Sequence, residues 1–142
     1  MYPNNPDYAQ EVRRVFDQAP FIRQLGAELL EFSPGACRTR ICLNENHLQQ
    51  DGFIHAGVQA TLADHSCGTA AATLIAADQR VLTADFTINL LRPGKGQMLY
   101  CEATVLKQGR RLIVAEAEVF AEGDQNKLIA KATVTLAVTT AG

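Results

Sequence analysis

The chain is built around the stretch Gln49-Gln50-Asp51-Gly52-Phe53-Ile54-His55-Ala56-Gly57 and the run from Val58 to Ala77 that follows it. Almost every residue of that run is small or apolar, which predicts a long buried helix. Its only acidic or basic side chains are Asp64 and His65. Because an ionised carboxylate without partners is costly to bury, Asp64 is either paired with a cation or used in chemistry.

One face of this predicted helix is unusually thin. The residues that share the face at helical spacing are nearly all small: Gly57, Ala60, Thr61, Asp64, Gly68 and Ala71. Side chains of this size let another backbone or a ligand approach closely. At the start of a helix, accessible N–H groups and the helix dipole attract an oxyanion. One end of the helix is therefore suited to hold a polarised carbonyl, and its middle carries a base or nucleophile.

Composition and charge restrict the class of protein. With 142 residues, 47% of them hydrophobic, the chain is expected to form one domain, 1–142, with a substantial core. A net charge of −2 and a pI near 5.9, without a basic stripe, argue against a nucleic-acid partner. The sequence has no apolar run of about 18 residues, and the N-terminal MYPNNPDYAQ lacks the parts of a signal peptide. We therefore expect a soluble, cytoplasmic protein without a membrane partner.

The cysteines give no sign of a metal site. Cys37, Cys42, Cys67 and Cys101 lie far apart, without a CxxC pair or a Cys/His ligand spacing. In an intracellular chain such residues pack as small hydrophobes in reduced form. Cys67 lies one turn past Asp64, but the sequence offers no cationic neighbour to lower its pKa, so we assign it to packing. No metal is expected.

The remaining elements are predicted from periodicity and turn residues. Asp7 to Ala19 is predicted as a short amphipathic helix closed by Pro20. Gly26 to Phe32 and Ala36 to Leu43 are predicted as a hairpin. Four strands follow the long helix: Val81–Leu91, Met98–Leu106, Arg111–Ala121 and Leu128–Val138. The turns between them are Arg92–Gly96, Lys107–Arg110 and Glu122–Lys127.

Short turns between four successive strands predict an antiparallel meander. In the first of these strands, Leu82, Ala84, Phe86, Ile88 and Leu90 are expected on one face, opposite Thr83, Asp85, Thr87 and Asn89. The predicted fold is α+β: an antiparallel sheet of about six strands wrapped around one long central helix, with a short N-terminal helix. This is the hotdog fold. A symmetric dimer is expected to cover the surfaces left open.

The run Gln49-x-x-Gly52-x-x-His55-Ala56-Gly57, with Asp64 nine residues after His55 and Thr83 on the next strand, resembles a known family. It is similar to hotdog thioesterases of the phenylacetate-degradation (PaaI-like) type, whose usual pattern is Asn-x-x-Gly-x-x-His-Gly-Gly followed by Asp. The resemblance spans about Phe21 to Val138. It implies an acyl-CoA thioesterase, with coenzyme A as part of the substrate and no separate cofactor, in a homodimer arranged as a dimer of dimers.

By position, the resemblance implies that Asp64 is the nucleophile or general base. Gly57 would supply the N–H that polarises the thioester carbonyl, and Thr83 would help to hold the water. Two residues depart from the usual pattern. Gln49 replaces Asn and carries its amide one methylene further out, and Ala56 replaces the first Gly and adds a methyl group. His55 is either an acid or base, or a residue that structures the loop by hydrogen bonds; we favour the second role.

Five cations in the predicted turns are candidates for binding the phosphates of coenzyme A: Arg92, Lys95, Lys107, Arg110 and Arg111. Arginine grips phosphate through two parallel hydrogen bonds, and lysine offers a point charge. Charged turns are also typical of any solvated hairpin.

Three functions are consistent with these residues. In the favoured one, a carbonyl held at the helix N-terminus is hydrolysed with the help of Asp64, and coenzyme A thiolate leaves. In the second, the chain is a non-catalytic acyl-CoA-binding or regulatory protein whose site is disabled by Gln49 and Ala56. The third, a hotdog 3-hydroxyacyl thioester dehydratase, is disfavoured because the usual Pro-rich turn and helical Glu are absent. Aryl, short-chain and medium-chain thioesters all suit a groove between a helix and an apolar sheet.

Overall fold

Helices and strands follow one another in the order expected for an α+β chain. The computed structural model describes residues 1–122 and 127–141. The helices are α1 (Tyr8–Asp17), α2 (Pro20–Leu25) and α3 (Ala56–Ala72), with a short 3₁₀ turn at Glu45–His47. The strands are β1 (Ala27–Ser33), β2 (Ala36–Cys42), β3 (Gln79–Leu90), β4 (Met98–Gln108), β5 (Leu112–Ala121) and β6 (Ala130–Thr140).

The six strands form one antiparallel sheet in the order β1-β2-β4-β5-β6-β3. All six strands contact α3, which lies against the concave face of the sheet. The helix contributes small buried side chains to this contact: Ala63, Cys67, Ala70 and Ala71 have no exposed surface. The predicted hotdog fold is thus confirmed.

The predicted four-strand meander is wrong in one connection. Strands β4, β5 and β6 are sequential neighbours, but β3 pairs with β6 at the edge of the sheet. The segment 91–97 is therefore a crossover past the ends of β6 and β5 and not a hairpin turn. Leu91 N–H donates to the carbonyl of Ile129 at 2.8 Å, and the carbonyl of Gly94 accepts from Ile54 N–H at 3.0 Å. Alternation within a strand does not encode which strand it pairs with. Most of the predicted turn Glu122–Lys127 lies outside the described residues.

A bulge in β3 changes which of its residues face α3. Thr83 lies opposite Leu136 and Asp85 opposite Thr135, so Ala84 is an extra residue. Thr83 therefore faces the helix before the bulge, as Phe86 does after it. The predicted face that grouped Leu82 with Phe86 is wrong, and the side chain of Leu82 is 63% exposed. One inserted residue reverses the alternation because side chains repeat every second position.

The helix boundaries also differ from expectation. The predicted helix Asp7–Ala19 is followed by a second one, because Pro20 occupies the first position of α2, where a missing N–H costs nothing. Gly26 then ends α2 with a φ of 77°, which glycine tolerates. The long helix begins at Ala56 and ends at Ala72, five residues before Ala77.

The end of α3 is fixed to the β1–β2 turn through Thr73. Its hydroxyl accepts from Gly35 N–H at 2.8 Å and donates to the carbonyl of Ala70 at 2.6 Å. Thr73 is fully buried, so no water replaces these bonds. Within the described ranges, no helix combines the length and the apolar character needed to cross a membrane.

We expect Thr73→Val, which keeps the shape but removes the hydroxyl, to lower the free energy of unfolding by about 1–3 kcal/mol, because the buried Gly35 N–H loses its acceptor. Urea unfolding measures the change. Thr69→Val is the matched control: Thr69 is also buried, but its hydroxyl bonds only the His65 carbonyl of its own helix. An equal loss in both variants would contradict a special role for the Thr73 contact.

Candidate active site

Asp64 lies in the middle of α3, on the part of the small-residue stripe from Gly57 to Gly68 that keeps some exposed surface; Ala71, which was predicted on the same stripe, is fully buried. Its Oδ1 accepts a hydrogen bond from the hydroxyl of Thr83 at 2.7 Å. The β3 bulge makes this contact possible, because it turns Thr83 toward the helix. Among the residues that the structure describes, no lysine or arginine lies within ion-pair distance of Asp64. The half-exposed carboxylate is therefore oriented by a neutral donor and is not neutralised by a cation.

The start of α3 is capped by His55. Its Nδ1 accepts from Gly57 N–H at 2.8 Å, and its carbonyl accepts from Val58 N–H at 3.0 Å. His55 thus structures the loop, the role that we favoured from the sequence. The same contact occupies the N–H of Gly57, the expected donor to a substrate carbonyl. In the described part of the chain, Ala56 N–H has no hydrogen-bond partner. The accessible donor at this helix start therefore belongs to Ala56, one residue earlier than expected.

Gln49 closes its own turn. Its Oε1 accepts from the backbone N–H groups of Asp51 at 2.5 Å and Phe53 at 3.2 Å. Gly52, with a φ of 83°, lets the chain reverse between them. Because the amide oxygen is engaged, only the Nε2 group of Gln49 can still donate to a water or substrate.

Two cavities flank Asp64 in a groove whose floor is α3. The walls are α1 and α2 on one side and β3 on the other. The cavity toward the N-terminus of α3 has a volume of about 360 Å³ and is lined by Phe21, Ile22, Ala60 and Phe86. The cavity toward the C-terminus has a volume of about 200 Å³ and is lined by Val15, Gly68, Val81 and Leu136. A cavity of about 410 Å³ between β1, β2 and β4 includes no residue of α3.

His65 connects α1 to α3 beside the groove. Its Nε2–H donates to the carbonyl of Val15 at 3.0 Å, and its ring lies 5.2 Å from that of Phe16. Burial lowers the pKa of His65 below its ordinary value, although the bond to Val15 and the charge of Asp64 act in the opposite direction. The ring is therefore a packing residue whose Nε2–H has a hydrogen-bond acceptor.

This pKa makes part of the stability depend on pH. The folded-state pKa of His65 lies below the ordinary 6.5, so the unfolded chain binds the proton more readily. The neutral, buried ring contributes its full stability above pH 6.5, the ordinary pKa, and this contribution is lost as the pH falls from there through the lower folded-state pKa. We expect the free energy of unfolding, measured with urea, to fall less between about pH 8 and about pH 5 in His65→Gln than in the wild type. An identical loss in both proteins would exclude this contribution.

The five candidate cations fall into two groups at opposite ends of α3. Arg92 donates from Nε to the carbonyl of Leu128 at 2.9 Å, and Lys95 Nζ lies 4.7 Å from the centroid of the Phe53 ring. Both lie near the start of α3. Arg110 and Arg111 line a different cavity beyond its C-terminal end, and Lys107 belongs to the same β4–β5 hairpin. A 17-residue helix spans about 25 Å, so a single chain does not present all five to one phosphate group.

The cysteines on α3 and on the strands that it covers behave as packing residues. Cys37, Cys67 and Cys101 are buried, and burial raises the pKa of each thiol, that of Cys101 to about 12. Thiols this weakly acidic are poor nucleophiles. Cys42 differs because it is exposed at the end of β2.

A hotdog fold whose central helix presents a carboxylate to an open groove defines a class of protein, the hotdog thioesterases and their relatives. Residues 51–127 match the Thioesterase superfamily, and the chain belongs to that family. The Escherichia coli protein YigI, named a medium/long-chain acyl-CoA thioesterase, is 31% identical over 136 residues, covering 84% of this chain and 85% of YigI.

Solved structures agree with this membership. A thioesterase family protein from Silicibacter pomeroyi superposes with a TM-score of 0.88 at 36% identity, covering 94% of this chain and 98% of its own. Zebrafish thioesterase superfamily member 2 gives a TM-score of 0.76 at 27% identity over 100% of both chains. Membership of this family and the names of these relatives support hydrolase activity.

Sequence reasoning missed the groove wall formed by α2 and the free N–H of Ala56. The first had a signal, since Pro20 and Gly26 are suited to the start and end of a short helix. The free N–H of Ala56 had no signal in the sequence, because the choice between neighbouring N–H groups depends on where the ring of His55 lies.

Proposed function

We propose that this protein hydrolyses an acyl-CoA thioester to the free acid and coenzyme A. The observation that carries the proposal is the carboxylate of Asp64, oriented by the Thr83 hydroxyl and open to a groove. The similarity to YigI, named for acyl-CoA hydrolysis, supports the same substrate class.

Asp64 acts in one of two ways. As a general base it takes a proton from water, whose oxygen attacks the thioester carbon; the C–S bond breaks and the thiolate of coenzyme A is protonated. As a nucleophile it attacks that carbon itself, and water then hydrolyses the mixed anhydride. In both cases Thr83 holds Oδ1, which leaves Oδ2 to face the groove. Negative charge on the carbonyl oxygen requires an N–H donor, for which we assign Ala56.

A site built from two chains accounts for the distance between the proposed oxyanion donor and the proposed base. Ala56 and Asp64 lie eight residues apart on α3, which separates their backbones by roughly 12 Å along the axis. One thioester group therefore does not contact the Ala56 N–H and the Asp64 carboxylate of the same chain. A partner whose α3 runs antiparallel brings its own Ala56 beside this Asp64. The two-fold axis then passes close to Ala60, which lies halfway between Ala56 and Asp64 on the helix. We therefore propose a homodimer with composite sites.

Strand β3 is suited to be the interface. It lies at the edge of the sheet, so one side of its backbone has no neighbouring strand. Large apolar side chains on and just after it are exposed: Leu82 63%, Phe86 39%, Leu90 49% and Leu91 53%. Exposed apolar side chains along an unpaired edge mark a site of association.

A second candidate function is binding of acyl-CoA without turnover. It is favoured by the internal bonds of Gly57 N–H and the Gln49 amide oxygen, which remove two groups expected in catalysis. The two functions differ in whether Asp64 is needed for release of free thiol.

We expect Asp64→Asn to keep the fold and to lower kcat for released thiol by on the order of 10² or more, because the amide neither accepts a proton nor attacks the thioester. Acyl-CoA binding, measured by calorimetry, should persist. Asp78→Asn is the control, since Asp78 is exposed and remote from the groove. Turnover near that of the wild type in Asp64→Asn would overturn the catalytic assignment, and binding without any wild-type turnover would favour the second function.

Complementation between two inactive chains tests the shared site. Asp64→Ala removes the carboxylate that one chain gives to the site, and Ala56→Pro removes the backbone N–H that the other chain gives. Proline is tolerated at the first helical position, and the ψ of 138° at His55 is compatible with a following proline. Random mixing of equal amounts makes half of the dimers mixed, and each mixed dimer keeps one intact site. We expect about a quarter of wild-type activity to return. Sites built within single chains would recover nothing.

A further inference from the structure

The smaller cavity beside Asp64 is formed within one chain. Its apolar walls are Val15 of α1, Gly68 of α3, Val81 of β3 and Leu136 of β6. Asp64 and Thr83 also line it, so the cavity opens directly onto the proposed reacting carboxylate. Its volume is about 200 Å³. For comparison, an apolar protein cavity of about 150 Å³ binds benzene.

Gly68 is not explained by the fold. A glycine inside a helix costs about 1 kcal/mol relative to alanine. A Cβ placed at Gly68 would meet Leu136 Cδ2 at 3.6 Å, an ordinary van der Waals distance, and the φ of Gly68 is not left-handed. Alanine therefore fits the folded chain. What the missing side chain leaves open is space one helical turn from Asp64.

The larger cavity is a poorer place for an acyl group. Ala60 and Phe86 line it, and Ala60 marks the two-fold axis of the proposed dimer. Side chains of the partner would fill that space. Gly68 lies eight residues further along α3, roughly 12 Å from the axis, and its cavity is enclosed by α1, α3, β3 and β6 of one chain.

The smaller cavity also has a charged wall. Arg14 lines it and binds Glu11 with Nε to Oε1 at 2.6 Å. Arg80 lies 3.7 Å from the other oxygen of Glu11, whose side chain is only 9% exposed. An extended alkyl chain would have to displace this ion cluster or lie against it without compensation, which is unfavourable. A compact group makes less contact with this cluster than an extended chain does.

We propose that the acyl group of the substrate occupies this cavity, that compact aryl or short branched acyl groups are preferred over long straight chains, and that Gly68 is the residue that sets this preference. The proposal rests on the proposed hydrolysis at Asp64, because it is the reacting carbonyl at Asp64 that directs the acyl group into the adjoining cavity.

The first test compares hydrolysis of acetyl-, benzoyl-, isovaleryl- and palmitoyl-CoA by the wild type and Gly68→Ala. We expect the wild type to prefer benzoyl- or isovaleryl-CoA to palmitoyl-CoA. The added methyl should lower kcat/KM for benzoyl-CoA by about ten-fold or more while changing that for acetyl-CoA less than about two-fold. Thermal unfolding should be unchanged or shifted upward, because alanine is the better helix former.

A rescue variant separates lost space from a structural defect. Val81→Ala removes two methyl groups from the facing wall, so adding it to Gly68→Ala should restore hydrolysis of benzoyl-CoA. Alone, Val81→Ala should favour bulkier acyl groups. No rescue, equal losses on acetyl- and benzoyl-CoA, or a preference for palmitoyl-CoA that Gly68→Ala leaves unchanged would overturn the proposal while leaving the role of Asp64 intact.

The second test does not require turnover. Hydrolysis-resistant thioether analogues of acetyl- and benzoyl-CoA are titrated into the wild type and Gly68→Ala by calorimetry. We expect affinity for the benzoyl analogue alone to fall, by about ten-fold. If no thioester is hydrolysed but this selective loss is seen, the proposed function fails and the assignment of the cavity stands. Equal affinities of both proteins for the benzoyl analogue would overturn the assignment.

Discussion

The close contact between α3 and the concave face of the sheet is the constraint on which the remaining structure depends. It is made by residues with little volume, such as Ala63, Ala70 and Ala71 on the helix and Ala115 and Ala117 on the sheet, all without exposed surface. Because protein interiors are packed as densely as organic crystals, a helix held this closely has little freedom to rotate about its axis. The direction in which Asp64 leaves the helix is thereby fixed by residues on the opposite side.

Polar bonds in the same interface specify the register of the helix against the sheet. The hydroxyls of Thr39 and Ser66 are 2.8 Å apart, and the Ser66 carbonyl accepts from the Cys37 thiol. Both bonds join α3 to β2 and are buried, so sliding the helix would leave them unsatisfied at a cost of about 1–3 kcal/mol for each lost partner. This register also places Asp64 against Thr83 of β3, the strand at the far edge of the sheet.

Periodicity was sufficient to predict the helix, the strands and the hotdog architecture, because burial repeats along each element at a fixed interval. It failed where the outcome depends on distant parts of the chain. The pairing of β3 with β6 and the inserted Ala84 are properties of two strands together, and the face of Thr83 depends on both. The same holds at the candidate site: Asp64 could be selected as a candidate residue from its unusual apolar context, whereas the engagement of Gly57 N–H depends on the placement of one histidine ring.

The unpaired edge of β3 has a consequence for a chain outside the proposed dimer. Within the described residues this edge strand is twelve residues long and carries apolar side chains. Its protection against strand addition is limited to the bulge at Ala84 and the charges of Arg80 and Asp85, without a proline or lysine. A separated chain would offer this edge as a template for indiscriminate strand addition, which leads to aggregation. Variants that weaken the proposed association of two copies should therefore be recognised first by precipitation, and the proposed interface would serve solubility as much as it would complete the groove.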